Sequence, residues 1–322
     1  AQLLDNSQFI TGGFAPGYTN VQSSLLDMQL RDGNDQEHEY IAQASLLGLE
    51  FAAEGPFKQN NQSSYLVNYR YSTVGLLSAF GIDFGGESIT FQDLSFNLSF
   101  PIKNGQIKLF GVGGLSKNTF RGDPDSTNWT DDKSRQDIRF SSGMATTGLR
   151  IDKSLGSRTS FYTTIAWSGV NSQRQADLLQ AGSGPSRIQD YESTESKSSL
   201  HSGVLTRIGQ SNELNVGLHV VNHEFEISDT DRGTTFADDK ANNLRLAPYA
   251  NLRINFSPAL NLNLGAQAHY SGLSNETVAE PRVTLKWRVS GANVFRVSYT
   301  RAGQSASSYA LLTGGGLNKD LN

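Results

Sequence analysis

The feature that most constrains this chain is the alternation of its connections. Strand-like runs are joined in turn by short links rich in Gly, Pro, Asn and Ser and by long polar ones. The short links are "PIKNGQ" (101–106), "KSLGSR" (153–158), "IGQSNE" (208–213), "FSPALN" (256–261) and "VSGANV" (289–294), each suited to a hairpin turn. The long ones include "NTFRGDPDSTNWTDDKSRQ" (118–136), "NSQRQADLLQAGSGPSRIQD" (171–190) and "ISDTDRGTTFADDKANN" (227–243), which read as loops too long and polar for tight turns. An antiparallel meander with tight turns at one end and long loops at the other is the layout of an outer-membrane barrel.

The runs alternate with a period of two. In "ELNVGLHVVN", Leu214, Val216, Leu218 and Val220 share one face while Asn215, Gly217 and His219 share the other. Leu244, Leu246, Ala250, Leu252, Ile254 and Phe256 likewise oppose Arg245, Tyr249, Asn251, Arg253 and Asn255. Leu260, Leu262 and Leu264 oppose Asn261, Asn263 and Gly265, and Val283, Leu285 and Trp287 oppose Arg282, Thr284, Lys286 and Arg288. A soluble sandwich alternates in the same way, with its apolar face inward. Length favours the barrel, because runs of about ten residues and more match a tilted bilayer crossing, whereas sandwich strands cluster near five or six. Arginines and asparagines on one face suit a water-filled lumen, and Trp167, Trp287 and Phe256, read as lying near short turns, suit an interfacial aromatic girdle.

Composition agrees. Aromatic residues at 10% and 32 Gly against 8 Pro fit many strands rather than helices. A net charge of -4 with both signs interspersed provides no basic stripe, so nucleic acid is not an expected partner. The absence of Cys rules out disulfides and thiolate metal sites. The mean hydropathy of -0.41 does not exclude a membrane, because alternate residues of a barrel face a polar interior. About twelve strands are expected, near 37–55, 62–71, 87–101, 106–117, 136–152, 158–171, 186–208, 213–227, 243–256, 259–272, 280–289 and 293–303.

The first residues carry a resemblance. "FITGGFAPGYTNVQSSLLDMQLRDGN", with Gly12, Gly13, Phe14, Tyr18, Ser23, Ser24, Leu25, Leu26, Asp27, Met28, Leu30, Asp32, Gly33 and Asn34, resembles the end of the plug domain of TonB-dependent outer-membrane receptors. "AQASLLGLEFAAEGPF" is similar to that family's first barrel strand, ending at Glu54, Gly55 and Pro56. Two positions depart from the pattern: Thr19 stands where Gly usually follows the Tyr, and the small pair is Ser-Ser. The resemblance implies residues 1–34 as the C-terminal end of a plug and 35–322 as the N-terminal part of a transmembrane β-barrel, incomplete against the family's roughly 22 strands. The family's barrels usually end on an aromatic residue, whereas this chain stops at "GGGLNKDLN".

The resemblance further implies a receptor in the Gram-negative outer membrane, importing a scarce solute such as a siderophore or metal chelate, with outer-membrane lipid and the inner-membrane TonB complex as partners. The alternatives are a non-transporting barrel serving as scaffold or receptor among other outer-membrane proteins, and a passive porin. Tyr18, Arg245, Arg253, Arg282, Lys286 and Arg288 are the candidate ligand-binding residues of the lumen, against a simple electrostatic lining.

Other constellations are weaker. On a strand the two histidines of "HVVNH" lie roughly 13 Å apart, too far for one metal. His201 and His219 fall opposite each other across the turn at Gly209, as a possible metal pair or as plain lumen lining. Asp123, Asp125, Asp131 and Asp132, and Asp229, Asp231, Asp238 and Asp239, read as solvated loop tips, with calcium ligation as the alternative. "NLS", "NWT" and "NET" match glycosylation sequons that carry no such meaning in a bacterial outer membrane, and "GVGG" and "GGG" lack the lysine and helix of a phosphate loop. No Ser, His and acid spacing singles out a catalytic set, so no enzyme, cofactor or metal is expected.

Overall fold

A computed structural model describes residues 3–45, 48–59, 61–72 and 87–312. "GGG" (314–316) and the terminal "GGGLNKDLN" lie outside the described residues. Two short strands near the start, β1 (Gln8–Ile10) and β2 (Leu25–Asp27), pair with each other. The next strands are β3 (Glu39–Ala44), β4 (Leu49–Pro56), β5 (Ser64–Tyr71), β6 (Glu87–Ile102) and β7 (Gly105–Phe120). They continue through β8 (Gln136–Ser154), β9 (Thr159–Gln180), β10 (Ser183–Ile208), β11 (Asn212–Asp231) and β12 (Thr234–Asn255). The last are β13 (Leu260–Ser271), β14 (Glu276–Arg288) and β15 (Val294–Thr300), before a short helix α1 (Ser308–Leu312). Strands β3 to β15 form one 13-stranded antiparallel sheet in strict sequence order, with β3 and β15 at its edges.

This is the expected all-β meander, with three corrections. The run at 37–55 is two strands, so thirteen stand where about twelve were expected. The turn is hidden in the apolar "SLLG", where the Ser45 amide donates to the Gly48 carbonyl and the Ser45 side chain bonds both backbone groups of Gly48. The stretches 171–190 and 227–243 are not loops. β9 and β10 extend to a tip at residues 181–182, and β11 and β12 to one at Arg232 and Gly233, both at positive φ. Polar side chains sustain these extensions in pairs across the ladder, such as Asn171 with Thr194 and Gln173 with Glu192. Finally, Asp229, Asp231, Asp238 and Asp239 are strand residues rather than loop tips; Asp229 is buried and accepts from the Tyr309 hydroxyl of α1.

Register explains why the two faces differ. Leu98, Leu109, Leu149, Ile165, Leu200, Val220, Leu246 and Tyr270 are successive partners across β6 to β13, so one side of the sheet carries a continuous apolar row. Leu214, Leu252, Leu264, Val283 and Tyr299 form another across β11 to β15. This face is exposed, with Ile165 58% accessible and Val297 71%, and the only other sheet among the described residues is β1–β2. The sandwich reading required those side chains to be buried between sheets. Near the short turns the same face carries Phe57 stacked on Phe100 at 5.1 Å, Phe256, and Trp287 beside Phe295. Trp167 stands mid-strand, away from that band, because β9 starts at Thr159 and extends further than its sequence suggested.

The opposite face is concave. The hydroxyls of Tyr162 on β9 and Tyr249 on β12 meet across the two intervening strands. Those backbones stand about 14 Å apart across a sheet, and the two rings bridge the gap by leaning over Gly203 and Gly217 between them. The concavity holds the N-terminal segment near the middle and short-turn end. At the other end it holds α1, whose Leu311 and Leu312 pack with Phe225, Ile227, Ala237 and Leu273.

Candidate functional site on the concave wall

The site is built where residues 13–20 cross the inner faces of β11 to β14. Two close approaches seat this segment. Gly265 lacks a Cβ where Pro16 lies, and Gly17 packs beside the Tyr249 ring, where an added Cβ would stand at an ordinary contact distance of 3.4 Å. Arg282 then fixes it. One guanidinium nitrogen donates to the carbonyls of Ala15 (2.7 Å) and Tyr18 (3.0 Å). The other donates to Glu280 at 3.0 Å, which also accepts from Gln267. Glu280 and Arg282 are almost fully buried, so each charge depends on the other. Thr19 bonds His219 at 2.8 Å, and the Asn20 side chain accepts from the Ser305 amide. The Tyr18 hydroxyl donates to Asp27 at 2.8 Å, and burial together with that carboxylate pushes its pKa up to about 12.

A second anchor lies where the segment leads into the sheet. Arg31 donates through both terminal nitrogens to the Glu54 carboxylate, a bidentate pair that raises the guanidinium pKa. Asp32 pairs with Lys108 at 2.8 Å and accepts from Asn97 and Gln106.

Two cavities flank the crossing. The upper, about 240 Å³, is lined by Thr19, Asn20, Lys197, His219, Arg245 and His269 among others. The lower, toward the short turns, is about 300 Å³ and is lined by Gly13, Glu213, Asn261, Arg253, Lys286 and Arg296 among others. The candidate lumen residues therefore separate into different roles. Arg245 faces the upper cavity, its Nε buried and without a partner among the described residues. Arg253 and Lys286 face the lower. Arg282 and Tyr18 hold the segment itself, and exposed Arg288 sits at the end of β14.

His201 and His219 are register partners with ring centroids 5.4 Å apart. Their polar contacts are Tyr249 and Thr19 respectively, and no cluster of three metal-ligating side chains occurs among the described residues. His223 instead meets Glu195 at 3.0 Å. Residue-by-residue reading missed Glu280, Gln267 and Lys197. Only register reveals that Gln267 stands opposite both Tyr249 and Glu280.

Together these features define a class: a curved antiparallel wall with an apolar outer belt and a polar concave face occupied by its own N-terminal segment. No family model matches the chain, and no curated protein matches it by sequence. Solved structures do match. The ferric enterobactin receptor PfeA (mutant G324V) of Pseudomonas aeruginosa aligns over 96% of this chain and 50% of its own, with a TM-score of 0.71 and 14% identity. The siderophore receptor PirA of Acinetobacter baumannii aligns over 94% and 48%, with a TM-score of 0.67 and 12% identity. The ferripyoverdine receptor of the outer membrane of Pseudomonas aeruginosa aligns over 95% and 48%, with a TM-score of 0.70 and 14% identity. The chain thus spans about half the length of these receptors and has the β-barrel fold of TonB-dependent siderophore receptors over that span.

Proposed function

We propose that this chain is part of a plugged outer-membrane barrel that imports a scarce solute, with residues 1–34 ending the plug and 35–322 forming barrel wall. The observation that carries the reading is the seating of Gly13–Asn20 across the concave wall by Arg282, Gly265 and Tyr249. An inner segment held by packing and a few hydrogen bonds, two of them from an arginine whose ion pair lies within the wall, blocks a lumen and is still releasable. The apolar rows favour hydrocarbon around the wall, since closure of such a sheet leaves no backbone group unpaired in lipid. No described helix is long and apolar enough to cross a membrane, which leaves crossing by strands unaffected.

A siderophore or metal chelate is the cargo class proposed, supported by what the similar structures are named for. Energy from the inner-membrane TonB complex would drive release of the plug. The test is uptake of a labelled ferric siderophore by cells carrying the full-length protein. Uptake abolished by a protonophore is the expected result. Binding at the cell surface without any energy-dependent uptake would refute the importer and leave a scaffold or receptor.

A further inference from the structure

We infer that the lower cavity is an oxyanion-binding site, separate from the upper cavity that Arg245 faces. The argument begins with an unfavourable contact. Lys286 and Arg296 are register partners on β14 and β15, both facing the same cavity, and neither has an acidic partner among the described residues. Like charges directly opposite on a sheet are destabilising, so a fold that needed only a lining there would not place two cations together. Arg253 adds a third cation, and the one carboxylate of the cavity, Glu213, is already drawn to it at 3.7 Å.

The remaining lining suits an anion. Asn261 stands opposite Lys286 in register, and Asn263 has a buried amide end without a partner among the described residues. A half-turn of that amide presents its NH₂ group instead of its oxygen. An ammonium and a guanidinium with amide groups beside them, Asn261 having one N–H left after its bond to Asn255, make a site for a carboxylate or phosphate group, charge-assisted on one side and neutral on the other. The volume of about 300 Å³ accommodates such a group with bound water.

Position gives the site its meaning, and this step rests on the importer reading. Gly13 lines the lower cavity, whereas Thr19 and Asn20 line the upper. The seated segment 13–20 therefore separates two cationic cavities on one wall. An anionic solute released past the segment meets a second electropositive station on the far side.

Calorimetric titration of the full-length protein in detergent with inorganic phosphate tests the site independently of uptake. The Lys286→Gln, Arg296→Gln double variant should bind phosphate about tenfold more weakly than the wild type. Lys240→Gln, on a distant exposed hairpin, should bind like the wild type. Because the double variant loses a repulsion, its unfolding midpoint without phosphate should equal or exceed that of the wild type. No phosphate binding by the wild type, equal affinity in the double variant, an equal loss in Lys240→Gln, or a lowered midpoint would each overturn the site. Phosphate binding lost only in the double variant, with uptake absent throughout, would keep the site and remove the importer.

Discussion

The phenol oxygens of Tyr162 and Tyr249 lie 2.5 Å apart although two strands run between their own. Register makes this possible, since Tyr162 stands opposite Gly203, Gly203 opposite Gly217, and Gly217 opposite Tyr249. Each ring leans over the neighbouring glycine, and a Cβ at either glycine would collide with a tyrosine hydroxyl. Tyr249 also bonds His201 and supports Gly17, so this row ties the curl of the wall to the seat of the N-terminal segment.

Gly217→Ala should therefore be destabilising by about 1–3 kcal/mol, as overpacking of a filled site is. The cost should shrink in a Tyr249→Ala background, where the ring that occupies the space is gone. A double-mutant cycle from unfolding in detergent measures the coupling. Additive costs would mean that the alanine strains only its own strand.

The apolar rows predict an asymmetry between faces. Leu218→Arg, on the outward face, should cost about 2–4 kcal/mol when the protein folds into lipid, if the residue lies near the midplane. Met144→Arg, on the concave face of β8 and 52% exposed, should change stability little. Refolding into vesicles at graded denaturant compares them, and equal penalties would reverse the assignment of the faces.

Much of this fold was legible because a barrel wall writes its inside and outside into every second residue. Leu214, Leu252 and Leu264 share the outer face for that reason, and the short turns stand where Gly, Asn and Pro mark them. What failed to show was whatever depends on water. Residues 171–190 and 227–243 are largely polar, which reads as loop, yet a hairpin that extends past the apolar rows needs no apolar outer face, and inward apolar side chains such as Ile227 and Ala237 are met by α1. The hairpin ladder is held by backbone bonds and pairs such as Arg139 and Arg187 on Asp177, both at 2.5 Å. The break between β3 and β4 is the reverse case, an apolar stretch closed where the amide and hydroxyl of Ser45 bond the backbone of Gly48.

The candidate site was legible only as a list of inward cations. Sequence placed Arg245, Arg253, Arg282 and Lys286 on one face but gave no means of telling a free cation from a committed one. Arg282 is committed because Ala15 and Tyr18, more than 260 positions away, bring their carbonyls to it. Such distant pairings leave no local pattern.

Tyr18 gives a pH-dependent prediction. Its phenol ionises near 10.0 when unperturbed and at about 12 in the fold, because burial and Asp27 disfavour the phenolate. The folded state thus holds the proton where the unfolded chain has lost it. The stabilisation is fully present below pH 10 and is lost as pH rises through about 12. Tyr18→Phe lacks the group, so the wild type should lose stability more steeply over that interval. Unfolding midpoints of both proteins across the alkaline range decide it, and parallel profiles would contradict the buried phenol.

Arg282 offers the sharpest test of the seat. Arg282→Met removes both bonds to the segment and leaves the buried Glu280 with only two neutral donors, Gln267 and the Gly303 amide. Breaking a buried pair from one side costs about 3–5 kcal/mol. The added Glu280→Gln change, which neutralises the orphaned charge, should recover much of the global stability. It cannot restore the lost bonds to Ala15 and Tyr18, so residues 13–20 should remain unseated in the double variant. Limited proteolysis within residues 13–20 separates the two effects: stability should return while the segment stays accessible. If protection of the segment returns along with stability, Pro16 in its niche at Gly265 holds the segment without Arg282, and the arginine serves only to balance Glu280.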